Sequence, residues 1–479
     1  MALALAVVLA GCGGDAERGA GSGADVVPVS TSVFVALETT IDGDQWQAAQ
    51  MLARRLPAAR RPLALARREL EQHGIDFDRD VTPALGPEVD LAVLGRGRGE
   101  ETWLLLTQPR DERKLAQLLA RAKGELVSTQ ADGWTVIAES REDLRRFERE
   151  RGDGSLGGSD EFEAATDDLP DDALVTGYVS GRATMESLAS ALPRRQGATD
   201  ALAALLPGRA FPSLGFTVRG EEGGVRLDAG YSLEGEDAPE AFEPALPSEL
   251  PAGAAVFLSF ADLRDYVRGA LRREGDANEE FDRSVAEAEL ALGVSLEEDV
   301  LPLLEGEGAL VAYPDRTPRP RSRPASLTIS LVLAVDDEER AVATIDRIAR
   351  RAAALVRGVA LAKTEVGGVE ATRVSFRGCE LYYAVVRGKL VVTTRRAGIA
   401  LVGAEGTKLS EDESYRDARQ AAGAPREAAA FAYAEPHALA AAHDAPRRFR
   451  EDLEPLGSLF AFASSEDDRL HIEGFLPID

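Results

Sequence analysis

An α+β fold written as a tandem duplication of one unit, with mainly antiparallel sheets and helices packed on one face, is what this sequence predicts. Three observations carry it. The two halves match block by block in a single order. Strand candidates are short and often too close in sequence for βαβ crossovers, so antiparallel pairing should dominate. And 479 residues exceed the ~250–300 at which a single hydrophobic core stops growing.

The order begins with residues 2–10, ALALAVVLA. This apolar run falls short of the ~20 residues of a membrane span and has the length of a signal-peptide h-region. It ends in Leu9-Ala10-Gly11-Cys12, which resembles the bacterial lipobox, although no Lys or Arg precedes the run. Residues 1–11 are therefore expected to be a signal peptide and Cys12 the lipidated mature N-terminus. Residues 12–24 are Gly-rich without apolar periodicity and read as a flexible tether with a reach of roughly 20 Å.

The first repeat is placed at 25–235 and the second at 247–479. Pro28, Val33 and Phe34 answer to Pro251, Val256 and Phe257. Gly74, Asp80, Val81, Pro83 and Leu85 answer to Gly293, Asp299, Val300, Pro302 and Leu304. GWTVI from Gly133 answers GKLVV from Gly388, Phe162 meets Tyr415, and Tyr178 meets Tyr433. Both halves close on a hairpin pattern, from Ser213 and from Ser458. Strands are expected at Val33–Leu37, Val89–Leu94, Trp103–Thr107 and Trp134–Ala138 in the first copy, and at Ala309–Tyr313 and Leu327–Val335 in the second. The clearest helix runs from Asp336 to Val356, with an acidic start that suits the helix dipole and one apolar stripe through Val342, Ile345, Ala349 and Ala352. Between the repeats, 236–246 is acidic and Pro-containing and reads as an extended linker.

Composition narrows the partners. Lys and Arg number 55 against 82 Asp and Glu, a net charge of −27. Such a field repels a phosphate backbone, so no nucleic-acid partner is expected. Two cysteines, Cys12 and Cys379, make neither a disulfide framework nor a structural zinc site. Cys379 sits in an apolar run and reads as a small core residue.

The opening ADVVP-x-STSVFVAL, followed by GDQW and by GIDFDRDVTPALGPEVDLAVL, resembles the uncharacterised family called domain of unknown function 3352. Its members are mostly secreted or membrane-attached bacterial proteins. The resemblance implies an extracytoplasmic location and brings no activity, ligand or catalytic residue with it.

Candidate chemistry is sparse. Asp76-x-Asp78-x-Asp80 has the start of a calcium loop, but Val81 and Pro87 stand where an EF-hand needs Gly and Glu; Asp80 reads instead as a turn or cap carboxylate. His437 and His443 lack the i, i+4 spacing and the Glu of a zinc protease. Gly152–Gly157 is not a nucleophile elbow, and no phosphate loop occurs. No catalytic residue, metal site or cofactor is expected. One feature stands out within so acidic a chain. Arginines gather between paired strand candidates in both repeats: Arg96 and Arg98 in the first, Arg316, Arg319, Arg321 and Arg323 in the second. They are the candidates for contact with an anionic surface or an acidic partner.

Three functions remain open. The first is a lipid-anchored protein on the outer face of the cytoplasmic membrane that binds an envelope protein or an apolar ligand without catalysis. The others are an envelope-acting hydrolase using carboxylates, and a structural or regulatory module contacting a membrane protein.

Overall fold

The computed structural model describes residues 22–40, 43–56, 68, 70–72, 74–95, 101–121, 126–181, 213–233, 239–277, 279–315, 327–442, 445–466 and 469–479. The chain divides into two compact units. Unit 1 runs to Ser232 and takes in Ile478–Asp479; unit 2 is Leu233–Pro477. Both are α+β with antiparallel sheets, as expected.

Unit 1 holds strands β1 (Thr31–Glu38), β2 (Glu88–Leu94), β3 (Thr102–Thr107), β4 (Val127–Ala131), β5 (Trp134–Ala138), β6 (Val175–Val179), β7 (Leu214–Glu221) and β8 (Gly224–Ser232). They pair in the order β4–β5–β3–β2–β1–β6–β7–β8. Successive side chains of a strand point to opposite faces, and the apolar runs of β2, β3 and β5 supply both. On the first face Phe34, Ala92, Leu104, Leu106 and Val136 pack with Leu144 and Phe147 of helix α3 (Arg141–Glu150) and Ala165 of α4 (Asp160–Thr166). On the second, Ile137 packs with Leu115 of α2 (Glu112–Arg121). Helix α1 (Asp44–Arg55) lies on β7, where the Gly220 N–H donates to Gln45 at 2.9 Å. Helices therefore cover both faces, which corrects the expectation of one. The cause is that these strands are apolar on both sides, as happens when neither face meets water.

Unit 2 holds β9 (Val256–Phe260), β10 (Gly308–Pro314), β11 (Leu327–Ala334), β12 (Val359–Val366), β13 (Val369–Phe376), β14 (Cys379–Val385), β15 (Lys389–Thr393), β16 (Ala430–Ala434), β17 (Leu459–Glu466) and β18 (Arg469–Pro477). They pair in the order β12–β13–β14–β15–β11–β10–β9–β16–β17–β18. The first face carries Phe257, Val311, Val332, Val391, Phe431 and Phe460, closed by α8 (Arg396–Val402) and α9 (Glu413–Ala421). Helices α5 (Leu263–Ala277), α6 (Glu279–Leu292) and α7 (Glu338–Leu355) belong to the other side, with α7 over β12, β14 and β15.

Two boundaries differ from the sequence reading. The described part of the linker packs on unit 2: Phe242 forms an antiparallel bridge with Ala428, and Leu246 and Leu250 are buried in the unit 2 core. Their four-residue spacing carries apolar groups past prolines that only interrupt strands. The chain is likewise packed from Ser22 onward, with Ala24 buried and Gly23–Asp25 in a 3-10 turn capped by Ser22.

Candidate functional site

The Asp80 region folds into a π-turn, Phe77–Val81, whose first N–H groups are met by Asp76, which accepts from Arg79 N at 2.8 Å. Asp80 is buried and reaches back to Asp76 N at 3.0 Å. Three cations surround it: Arg79 at 2.8 Å, Lys114 at 3.4 Å and Arg121 at 3.5 Å. The Arg79 hydrogen bond, then the Asp76 N–H, hold its carboxyl well below the ordinary carboxylate range. A carboxylate so committed is a cap, and its positive surroundings oppose a calcium ion. Unit 2 builds the same clamp on Leu296–Val300: Asp299 accepts from Ser295 N at 2.9 Å and from Arg347 at 3.1 Å. Arg121 and Arg347 also donate to Gly74 O at 3.1 Å and to Gly293 O at 3.5 Å.

The second face of unit 2 offers the surface with most scope for binding. Directly opposed residues form an apolar row across six strands: Val392, Leu331, Leu310, Leu258, Ala432 and Ala461. Its central pair is 39 % and 38 % exposed at Leu310 and Leu258, and Ile329 beside them is 40 % exposed. Lone exposed apolar residues are ordinary, whereas neighbours in register make a patch. Helix α7 lies over the Val392 end of the row and Pro436–Ala442 packs on β10, yet the central leucines stay exposed. Helix α5 packs on Leu301–Leu304 and on α6, and α6 on α7; no described side chain of α5 or α6 is buried. Helix α7 is pinned over the far strands, where the Tyr383 hydroxyl donates to Asp346 at 2.6 Å. Past the end of β9, burial first, then Asp265, Glu240 and Glu305, push the Asp262 carboxyl up against the opposing pull of Arg264.

In unit 1 the matching row is Ile137, Leu105, Leu91, Val35, Gly177 and Phe216. None of these is exposed. Leu70, Ile75, Phe77, Val81, Leu85 and Val89 form a closed core against Leu105. The Phe216 ring lies over Gly177, where a Cβ would come within 2.1 Å of it.

The residues singled out in sequence fare differently. Cys12, Arg96, Arg98, Arg316, Arg319, Arg321 and Arg323 lie outside the described residues, as do His73 and His443. The described end of the second Arg-rich loop is Asp315, which pairs with Arg395 at 3.4 Å. His437 Nε2 lies 2.9 Å from Leu456 O. Cys379 is exposed, not core: the apolar run begins at a strand end, and only Tyr382, Tyr383 and Ala384 of its strand are buried. Among the described residues no group of three or more His, Cys, Asp or Glu could hold a metal ion, and no helix is long and apolar enough to cross a membrane. The open row was missed in sequence because its residues read as ordinary buried strand.

No curated protein matches the chain. Two solved structures, crystal forms IV and III of TP0453, are similar at 14 % and 13 % identity, covering 50 % and 49 % of this chain and 94 % and 93 % of theirs. Their TM-scores of 0.25 and 0.24 are too low to bear on fold or role. Residues 129–372, just over half of the sequence, match the family described as protein of unknown function DUF3352. The matched stretch begins after the Ala24–Leu94 motifs that first suggested it, and on its strength this chain belongs to the DUF3352 family.

Proposed function

We propose that this is an extracytoplasmic protein, held to the outer face of the cytoplasmic membrane by lipid on Cys12, that binds an apolar ligand or the apolar surface of an envelope protein without transforming it. The observation that carries the reading is the open row Leu331–Leu310–Leu258–Ala432 on the second face of unit 2. Burying apolar surface releases about 25 cal/mol per Å², so an apolar occupant gains most where two leucines and an isoleucine are already side by side. The same reading takes the two units as copies of one ancestral unit, of which the second has opened. Its support is the shared order of strands, the paired π-turn clamps at Asp80 and Asp299, and the Tyr178–Ser213 and Tyr433–Ser458 contacts at 3.1 and 3.4 Å.

Native mass spectrometry of the full-length chain, purified gently from an envelope-exporting host, tests it. An apolar mass that leaves on denaturation and is absent from Leu310→Gln supports the reading. A clean apo mass, together with no crosslinked partner at the row in native membranes, would overturn it.

A further inference from the structure

Each unit carries a 3-10 turn lying against its sheet, and in each the turn meets a carboxyl from below. In unit 2 the turn is Leu246–Ser248 and the carboxyl is Glu307, just ahead of β10. It accepts from Ala245 N at 2.7 Å, from Leu246 N at 3.0 Å and from the Ser259 hydroxyl at 2.9 Å. Three donors offset much of the cost of burying that charge, although burial still raises its pKa.

In unit 1 the turn is Gly23–Asp25 and the carboxyl is Asp90, in the middle of β2. Asp90 is wholly buried, and among the described residues no N–H or O–H donates a hydrogen bond to either of its oxygens. It fills the space beneath Gly23, where a Cβ would stand 1.6 Å from Oδ2. The residue directly across the sheet is Ala36, where unit 2 has Ser259 on the matching strand. Glu88 neighbours it on β2, Glu38 stands opposite Glu88 on β1 and Asp25 is on the turn, while β3 presents Leu104 and Leu106. Burial first, and then Glu88, push the Asp90 carboxyl far above its ordinary range. Protonated, it becomes a donor towards Glu88; ionised, it is a buried charge with no donor.

What lies over Asp90 is the segment Ser22–Val29, in which Ala24, Val26 and Val27 are buried. It is stitched down by Leu156 N–H to Val27 O at 2.9 Å, Gly157 N–H to Ala24 O at 2.8 Å and Val29 N–H to Gly154 O at 3.0 Å.

We propose that Asp90 is a proton-operated clasp for the N-terminal segment: with the acid protonated, Ser22–Val29 seats on the sheet, and with it ionised the segment lifts and lets water reach the carboxylate. A group whose pKa is raised by folding stabilises the seated form fully below the ordinary carboxylate pKa. That contribution is lost as pH rises towards the raised value. Low pH therefore closes the clasp and high pH opens it. This inference is independent of what binds unit 2.

Hydrogen exchange of the full-length chain, measured from acid to mildly alkaline pH and corrected for intrinsic exchange, reads the clasp at the Leu156 and Gly157 amides. One proton linked to opening makes protection at these two fall about tenfold per pH unit across the window, while the amides of β5 stay flat. Asp90→Asn should abolish the slope. Ala36→Ser, which places a hydroxyl donor across from Asp90, should shrink it, and serves if the Asn variant folds poorly. No slope in the wild-type chain, or a slope unchanged in the variants that fold, overturns the clasp.

Discussion

Unit 1 closes both faces of its sheet, whereas unit 2 closes one and leaves the centre of the other half-exposed. The strands do not make the difference, since both central rows are apolar. What differs is the cover. Four residues ahead of Gly74 stands Leu70, buried in the second core of unit 1; four ahead of Gly293 stands Glu289, which accepts from Leu296 N at 2.6 Å. Phe77 is buried and its counterpart Leu296 is half-buried. A few losses of apolar volume in the covering layer are enough to turn a core face into a surface.

The sharpest way to break this contrast is to remove its cover. Phe77→Ala, in the closed core of unit 1, should cost about 3–5 kcal/mol. Leu296→Ala, from a half-buried place, should cost about 1 kcal/mol. Urea unfolding followed separately for each unit measures both, and equal costs would mean that the two faces are packed alike.

Smaller, but more specific, is the effect at Gly177. A methyl group there would meet the Phe216 ring, so Gly177→Ala should cost about 1–3 kcal/mol through overpacking. With Phe216→Ala already present the penalty should fall below about 0.5 kcal/mol, because unit 2 accepts Ala432 beside Ala461 in the same row. A double-mutant cycle in which the two costs simply add would show that the ring is not what fills unit 1's face.

The π-turn clamps offer a comparison by pH. Asp80 has its pKa lowered by folding, so its stabilisation is fully present above the ordinary carboxylate range and is lost as pH falls from that range towards the lowered value. The gap in thermal midpoint between the wild-type chain and Asp80→Asn should therefore be widest near neutral pH and close on acidification. Asp299→Asn, which removes one described arginine contact where Asp80 meets three cations, should lower the thermal midpoint less than Asp80→Asn. A gap that stays constant with pH would remove the clamp's electrostatic account.

Much of this fold was legible in the residues. Short β-rich runs located β1, β2, β3, β5, β10 and β11, and the stripe through Val342 and Ala349 located α7 to within two residues of its ends. The hairpin β12–β13, turning at Gly367 and Gly368, was not read: it has no partner in the first half, so a search for repeats passes over it. Cys379 misled because an apolar run says nothing about where a strand leaves the core. The open row was the least legible feature. Leu258 and Leu310 read like any buried strand residues, and their exposure is decided by α5 and α6, whose apolar residues at Val267, Leu271, Phe281 and Val285 are spaced like any core-facing stripe. Pattern gives the face that wants burial, and only packing says whether something buries it.

The smallest expected effect on stability is therefore the most informative about function. Leu310→Gln replaces an exposed apolar side chain with a polar one of similar size. If the row is surface, unfolding free energy should change by no more than about 0.5 kcal/mol, while the bound apolar mass is lost. Leu91→Gln, its half-buried counterpart between Leu105 and Val35 in unit 1, should cost more and leave binding by the folded chain intact. A large loss of stability from Leu310→Gln would mean that the row is core in solution, and the binding reading would fall with it.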